Sequence, residues 1–279
     1  MAKEARRPLI EEIATAPSAV EAFEAFKDRP FSFFLDSGMN PERLGTYSFV
    51  GSDPFLVLRS RGREVSITTG GKRRILHGNP IDILGRLLEA YQLASSPSEV
   101  PFNGGAVGYL GYDLCHFVER LPATTVDDLQ LPECYFGFYD VVLAYDNLHH
   151  KTYIVSCGFP EVREIERKER ARRRLEEVRE RLAAAPGYGI DVGPETLSSP
   201  EDELMLRSNF SREEYLRAVE RARQYIVQGD VFEVNLSQRF EASLPATPYE
   251  LYCRLRQINP APFACYLGFQ EVSIAGSSP

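Results

Sequence analysis

The stretch Tyr135-Phe-Gly-Phe-Tyr-Asp-Val-Val-Leu-Ala-Tyr145 lies in the richest apolar part of the chain. Aromatic and β-branched residues dominate it, which is typical of buried strands. A helix that crosses a bilayer needs roughly 18 apolar residues, and Gly137 and Asp140 interrupt this run before that length. The stretch therefore predicts sheet structure and excludes a transmembrane segment.

Shorter runs of the same kind continue from Pro30 to Ser156, separated by Gly, Pro, Asp and Asn. The spacing of apolar residues over Ile81–Leu93 predicts a helix that covers one face of the sheet. The runs themselves predict further strands, which are Phe31–Leu35, Phe55–Leu58, Val65–Thr69 and Thr152–Val155.

The polar segment Asp146-Asn-Leu-His-His150 separates two of these runs and predicts a hairpin turn. Its two histidines are adjacent in sequence, so in extended chain they point apart instead of converging on a metal. Solvent-exposed turn histidines are the favoured interpretation.

Charged residues of both signs fill Glu161–Leu182 and leave only a narrow apolar stripe. This pattern predicts a solvated surface helix, not a basic strip for an anionic partner. The next segment, Ala183–Ser208, is rich in Ala, Pro, Gly, Ser and Glu, which predicts a linker or a long surface loop.

The sequence Ser211-Arg-Glu-Glu214 fits a capping box, and Phe210 and Tyr215 occupy the positions of a hydrophobic staple. A helix is therefore expected from Ser211, with Gly229 as its C-terminal stop. The sequence after it predicts another helix and three strands, which are Pro248–Gln257 for the helix and Val231–Phe240, Phe263–Phe269 and Val272–Ala275 for the strands.

The predicted strand Val231–Phe240 has one apolar face and one polar face. The polar face offers an acid, an amide, a hydroxyl and a guanidinium, and either a pocket wall or a water-facing surface explains it equally well. Its residues are Glu233, Asn235, Ser237 and Arg239.

Composition narrows the classes of function further. The chain carries 32 basic and 40 acidic residues, a net charge of −8, which disfavours a nucleic-acid partner. Five widely spaced cysteines without a C-x-x-C pair predict free, buried thiols. The polar N-terminus lacks the apolar region of a secretion signal, so we expect a cytoplasmic protein.

The glycine-rich run Gly104-Gly-Ala-Val-Gly-Tyr-Leu-Gly111 does not match the G-x-G-x-x-G spacing of a dinucleotide site. Bulges or close backbone packing are the better interpretation. Read from the residues alone, the chain is an α/β or α+β protein without a strong catalytic motif.

Three stretches together resemble component I of the chorismate-utilising synthases, the group of aminodeoxychorismate synthase and anthranilate synthase. Their order and spacing cover nearly the whole chain. The first is Phe34-Leu-Asp-Ser-Gly38 with Tyr47-Ser-Phe-Val-Gly-Ser-Asp-Pro54, the second is Gly104-Gly-Ala-Val-Gly-Tyr-Leu-Gly-Tyr-Asp113, and the third is Tyr225-Ile-Val-Gln-Gly-Asp-Val-Phe-Glu-Val-Asn-Leu-Ser-Gln-Arg-Phe240 followed by Asn259-Pro-Ala-Pro-Phe263 and Ser277-Ser-Pro279.

The resemblance implies an α+β fold, a two-sheet α/β sandwich with flanking helices of the anthranilate synthase component I type. It also implies an N-terminal domain at 1–183, a linker at 184–209 and the truncated start of a chorismate-binding domain at 210–279. Asn235 is similar to aminodeoxychorismate synthases, whereas Glu233 stands where Gln is common in the family.

The implied activity is therefore amination of chorismate to 4-amino-4-deoxychorismate in folate biosynthesis. Anthranilate synthesis is the enzymatic alternative, and a non-catalytic module that binds tryptophan or a glutaminase subunit is a third hypothesis. The resemblance implies a glutaminase partner and Mg²⁺ as cofactor. It places the catalytic acid, the lysine and the magnesium ligands beyond Pro279, so no catalytic or metal residue is expected on this chain.

A tryptophan pocket is the one family site whose positions match residues here. An apolar pocket with a hydroxyl suits an amino acid, although a turn and a core strand would also explain the same residues. The matching residues are Ser37, Tyr47, Ser48, Phe49, Val50, Pro262, Phe263 and Ala264.

Overall fold

The computed structural model describes residues 6–14, 17–94, 100–184 and 205–279. Contacts between residues divide the chain into two units. The larger unit consists of Met1–Asp191 and Pro248–Pro279, and the smaller unit is Val192–Thr247.

Seven antiparallel strands form the first sheet of the larger unit. They are β1 (Leu9–Ile13), β2 (Phe33–Asp36), β3 (Tyr47–Gly51), β9 (Val141–Asp146), β10 (Lys151–Ser156), β13 (Phe263–Gly268) and β14 (Ser273–Ser278). Their order across the sheet is β1-β10-β9-β3-β2-β13-β14. The interior strand β2 therefore pairs on one side with β3 and on the other with β13.

Five antiparallel strands form the second sheet of this unit. They are β4 (Leu56–Arg61), β5 (Glu64–Thr69), β6 (Lys72–His77), β7 (Gly105–Leu110) and β8 (Cys134–Tyr139), in the order β6-β5-β4-β8-β7. The helices of the larger unit are α1 (Ala19–Phe23), α2 (Pro80–Ala90), α3 (Glu164–Ala184) and α5 (Pro248–Ile258), with a 3-10 helix at Tyr112–Phe117.

The apolar run at 135–145 forms strands, as predicted, but it divides between the two sheets at Asp140. The Asp140 side chain is 1% exposed, and its oxygens lie 2.9 Å from Nε of Arg170 and 3.3 Å from Nε of Arg174. A buried carboxylate needs such partners because burial strongly disfavours an unpaired charge. The run is therefore a crossover between sheets, with a charged residue where it changes direction.

Side chains from both sheets share one core. Val107 and Tyr139 of the five-stranded sheet pack with Phe33, Val142 and other residues of the seven-stranded sheet. A second core lies on the opposite face of the five-stranded sheet, where α2 contributes Ile83 and Leu84. The prediction that a helix near 81–93 covers a sheet face is thus confirmed.

Helix α3 confirms a predicted helix, but its surroundings differ from the expectation of a purely solvated surface. Its narrow stripe of Ala171, Leu175 and Val178 is buried, and α3 packs against β1, β9 and β10. Two of its arginines bind Asp140, so part of the charge that looked solvent-facing neutralises a buried acid.

The smaller unit contains α4 (Arg212–Gln228) and the short strands β11 (Arg207–Ser208) and β12 (Phe240–Glu241). The predicted capping box at Ser211 and Glu214 is confirmed, as is the left-handed Gly229 that ends the helix at φ +82°. The rings of Phe210 and Tyr215 lie 5.9 Å apart, as a staple requires.

The predicted strand Val231–Phe240 is wrong. Of this range only Phe240 belongs to a paired strand, the short β12, and Phe232 is 93% exposed. Alternation alone does not make a strand, because the backbone also needs a neighbouring strand for its hydrogen bonds. The residues Glu233, Asn235, Ser237 and Arg239 therefore do not form one face of a strand or a pocket wall of that kind.

The predicted domain boundaries at 1–183, 184–209 and 210–279 stay a prediction. Residues 248–279 belong to the larger unit because β13 pairs with β2. Most of the predicted linker, residues 185–204, lies outside the described residues.

The cysteines are free thiols, as predicted, and three are buried whereas Cys115 and Cys265 are half-buried. Burial raises the pKa of the Cys134 and Cys157 thiols to about 12. Within the described ranges, no helix is both long and apolar enough to cross a membrane.

Close backbone packing explains part of the glycine-rich run, as predicted. A Cβ on Gly108 of β7 would lie 2.0 Å from the Tyr135 carbonyl oxygen of β8, whereas a Cβ on Gly85 of α2 would meet nothing within 4 Å.

We expect Gly108→Ala to destabilise the chain by about 1–3 kcal/mol, because the backbone of β8 must move to admit the methyl group. Gly85→Ala is the matched control and should stabilise it by about 0.4–1 kcal/mol, since alanine favours a helix interior. Urea unfolding followed by circular dichroism measures both. Equal effects of the two substitutions would contradict the packing described for Gly108.

Candidate functional site

Three segments of the larger unit meet at Ser37, which directly follows β2. Its backbone N–H donates to Oγ of Ser48 at 3.1 Å. Its hydroxyl lies 2.6 Å from the Tyr47 carbonyl oxygen and 3.3 Å from the Pro262 carbonyl oxygen. One serine thus joins the end of β2, the start of β3 and the turn before β13.

Strand pairing places half-buried apolar side chains beside this hydroxyl. Leu35 pairs with Phe49 on one side and with Cys265 on the other, and all three are half-buried. The rings of Tyr47 and Phe49 stack at 6.2 Å. We call the set Leu35, Ser37, Tyr47, Phe49 and Cys265 the Ser37 surface.

The structure brings all eight predicted pocket residues onto adjacent segments, but not onto one face. Ser48, Val50 and Ala264 are buried, because alternation along a strand turns them to the face opposite Tyr47 and Phe49. Phe263 is 55% exposed, and Pro262 is buried beside Ser37. A role of these eight residues in ligand binding stays a prediction.

Ser48 still supports the Ser37 surface from behind. Its hydroxyl accepts from the Ser37 backbone and, at 3.1 Å, from the Asn147 amide. The same amide donates to the Gly45 carbonyl at 3.0 Å. The loop before β3 is therefore held to the turn after β9.

A buried acid, Asp36, fixes α5 next to this surface. The Tyr252 hydroxyl donates to Oδ2 of Asp36 at 3.0 Å, and Arg256 binds the same carboxylate through Nε and Nη2. Burial, followed by the charge of Asp36, raises the pKa of Tyr252. Because α5 leads into Pro262, these contacts hold the carbonyl that faces Ser37.

Sequence reasoning missed this group, since it ended the predicted strand at Leu35 and assigned Asp36 no partner. The available signal was an acid at the end of the apolar run Phe33-Phe-Leu-Asp36, directly before Ser37. Its partners Tyr252 and Arg256 are more than 200 residues away in sequence, so no local pattern reveals them.

The turn histidines predicted at 149 and 150 lie in the β9–β10 hairpin. His149 is 63% exposed and lies 2.8 Å from Asp146 through Nδ1. Burial raises the pKa of Asp146, but hydrogen bonds from His149 and Leu148 outweigh it, so the net pKa is lowered. Within the ranges that the structure covers, no three acids, histidines or cysteines cluster to hold a metal.

Comparisons with known proteins agree with this architecture. The family model "chorismate binding enzyme" matches residues 30–279. Anthranilate synthase component 1 of Acetivibrio thermocellus is 36% identical over 97% of this chain and 55% of its own length. The Pseudomonas aeruginosa protein of the same name is 33% identical over 98% of this chain and 56% of its own length.

A solved structure shows the same fold. The crystal structure of anthranilate synthase component I from Streptococcus pneumoniae TIGR4 matches with a TM-score of 0.62 and 24% identity, over 84% of this chain and 50% of that chain. The expected α+β fold of two sheets with flanking helices is thus confirmed. The chain spans about half the length of the curated relatives that it matches.

We expect Arg256→Gln to destabilise the larger unit by about 2 kcal/mol, because it leaves the buried carboxylate of Asp36 without its cation. The Arg256 side chain is one-third exposed. The loss of stability should therefore be smaller than for a deeply buried ion pair. In an Asp36→Asn background the same substitution should cost much less. A double-mutant cycle, measured by urea unfolding, gives the coupling free energy between Asp36 and Arg256. Additive effects would show that the two residues do not act as a pair.

Proposed function

This chain belongs to the chorismate binding enzyme family, and we propose that it is part of an anthranilate synthase component 1. The proposal rests on two relatives with that name, which match 97% and 98% of the chain at 36% and 33% identity. The reaction proposed is the conversion of chorismate and ammonia to anthranilate, in which the ring hydroxyl leaves as water and the enolpyruvyl side chain leaves as pyruvate. Because the chain spans about half of each relative, the activity is proposed for the protein that contains this sequence.

The folate hypothesis, amination to 4-amino-4-deoxychorismate, has weaker support. It rests on Asn235, which lies in an exposed, irregular segment of the smaller unit. The Nδ2 of Asn235 is 3.5 Å from Oε1 of Glu233, its neighbour on the supposed polar face. The named relatives favour the anthranilate product instead.

The proposed reaction needs ammonia and, by family resemblance, magnesium. The relatives' designation as component 1 supports a second component, and we propose a glutaminase subunit as the source of ammonia. The described residues do not fit a magnesium site, since they contain no cluster of metal-ligating side chains. No step is therefore assigned to the metal on this part of the chain.

We propose that the Ser37 surface binds tryptophan. The carbonyl oxygens of Tyr47 and Pro262 and the Ser37 hydroxyl supply acceptors for an ammonium group. Leu35 and Phe49 supply half-buried apolar surface for an indole ring. A hydroxyl and two carbonyl oxygens beside apolar side chains offer the combination of polar and apolar contacts that a bound amino acid can use.

Incubation of the protein that contains this sequence with chorismate, ammonia and magnesium tests the proposed reaction. Chromatography should detect anthranilate as the direct product. Accumulation of 4-amino-4-deoxychorismate would contradict the proposal and restore the folate hypothesis. The 279-residue chain is assayed in parallel, because turnover by it alone would exclude the hypothesis of a non-catalytic binding module.

Tryptophan binding is measurable directly, because the chain contains no Trp and all indole fluorescence comes from the ligand. We expect a saturable blue shift of tryptophan emission on titration with the chain. Ser37→Ala should weaken binding about tenfold by removing one hydrogen bond to the charged ligand. Ser243→Ala, at an exposed position, is the control and should change nothing. Equal binding by both variants would exclude the Ser37 surface.

A further inference from the structure

A cavity of about 350 Å³ lies in the larger unit between the five-stranded sheet and the tip of the β13–β14 hairpin. Arg59, Ser66, Thr68 and Arg73 line it from β4, β5 and β6. Glu271 closes it from the hairpin. It contains no residue of the Ser37 surface.

Strand register explains why these polar side chains share one face. Arg59 pairs with Ser66 on one side and with Tyr135 on the other, and Thr68 pairs with Arg73. Paired residues lie on the same face of a sheet. The opposite face contributes Leu58 and Val65 to the core under α2. The polar face is thus selected by the fold and opens into the cavity.

Arg59 has donor capacity that the described residues leave unused. Its Nε lies 3.0 Å from Oε1 of Glu271, but the N–H does not point at that oxygen, and the buried nitrogen lacks a hydrogen-bond acceptor among the described residues. An unsatisfied buried donor is costly, so an acceptor at this position would be stabilising.

Tyr109 and Tyr135 add hydroxyl groups around the same carboxylate. Burial, followed by the charge of Glu271, raises the pKa of Tyr109. The pKa of Tyr135 is raised by burial and by its hydrogen bond with Glu271. The Tyr109 hydroxyl is buried and, in the described ranges, also lacks a hydrogen-bond partner. Both phenols stay protonated: the Tyr135 hydroxyl donates to Glu271, and the Tyr109 hydroxyl keeps an unused donor within the described ranges.

The charges of the cavity favour an anion that carries a second polar group. Two guanidinium groups, of Arg59 and Arg73, face one carboxylate, of Glu271, so the lining has a net positive charge in a chain of net charge −8. Arg73 is exposed and forms no ion pair within the part of the chain that the structure describes. Guanidinium groups bind carboxylates with paired hydrogen bonds.

We propose that this cavity binds a small organic acid. The carboxylate of the ligand lies on Arg59 and Arg73, and a hydroxyl or ammonium group of the ligand faces Glu271. The volume is at the lower end of ligand sites, which matches a small metabolite. The site is independent of the tryptophan site and of the reaction proposed above.

Isothermal titration calorimetry on the 279-residue chain tests the site with three probes. Succinate supplies only carboxylates, L-malate adds a hydroxyl, and inorganic phosphate supplies an anion without an organic skeleton. We expect saturable binding of L-malate with a Kd below about 1 mM, weaker binding of succinate and weakest binding of phosphate. Absence of saturable malate binding, or phosphate binding as tightly as malate, would overturn the proposal.

Two adjacent arginines of β6 provide a matched pair of variants. Arg73 faces the cavity, whereas Arg74 pairs with Ile67 on the opposite face, and both are exposed. Arg73→Gln should weaken malate binding about tenfold through loss of a charge-assisted contact, and Arg74→Gln should leave it within about twofold. Equal losses would show general electrostatic attraction and overturn the site.

Glu271→Gln tests the contact with the ligand's hydroxyl group separately from the contacts with its carboxylate. It should remove most of the preference for L-malate over succinate, because the hydroxyl then loses its charged acceptor. Glu271 is exposed at the hairpin tip, so the variant should fold, which circular dichroism verifies. An unchanged preference would disprove the role assigned to Glu271.

Discussion

The buried carboxylate of Asp140 is the constraint on which the larger unit depends. It stands between β8 and β9, where one apolar run passes from the five-stranded to the seven-stranded sheet. A charge at 1% exposure is tolerable only with partners, and Arg170 and Arg174 of α3 provide them. The carbonyl of Asp140 also accepts from the Cys157 backbone at 2.8 Å, so the crossover, the helix and the end of β10 are fixed together.

Asp36 repeats this arrangement at the edge of the Ser37 surface. One carboxylate at the end of β2 binds Tyr252 and Arg256 of α5, and α5 leads into the turn that contains Pro262. Together with the pairing of β13 with β2 and the bond from the Gly38 N–H to the Ala261 carbonyl, this contact holds the Pro262 carbonyl beside Ser37. In both places a buried acid at a strand end selects which helix packs there.

Local sequence was sufficient where local interactions decide the structure. The capping box at Ser211, the stop at Gly229 and most strands of the two sheets follow from propensity, caps and alternation. The strand expected at Val231–Phe240 fails because pairing is not local. The pocket residues taken from the family resemblance belong to the Ser37 surface only in part, because Ser48, Val50 and Ala264 share its segments but face the opposite side of the sheet. The partners of Asp36 and Asp140 required the tertiary structure.

One hairpin contributes to both proposed sites. β13 begins after Pro262, whose carbonyl faces Ser37, and the turn after β13 carries Glu271, which closes the acid cavity. Six residues of strand at about 3.4 Å each separate the two ends by about 20 Å. Charges exposed at such separation are largely screened at physiological salt. A substitution at Arg73 therefore leaves the electrostatics of the Ser37 surface unchanged, and a loss of binding at one end reports on that end alone.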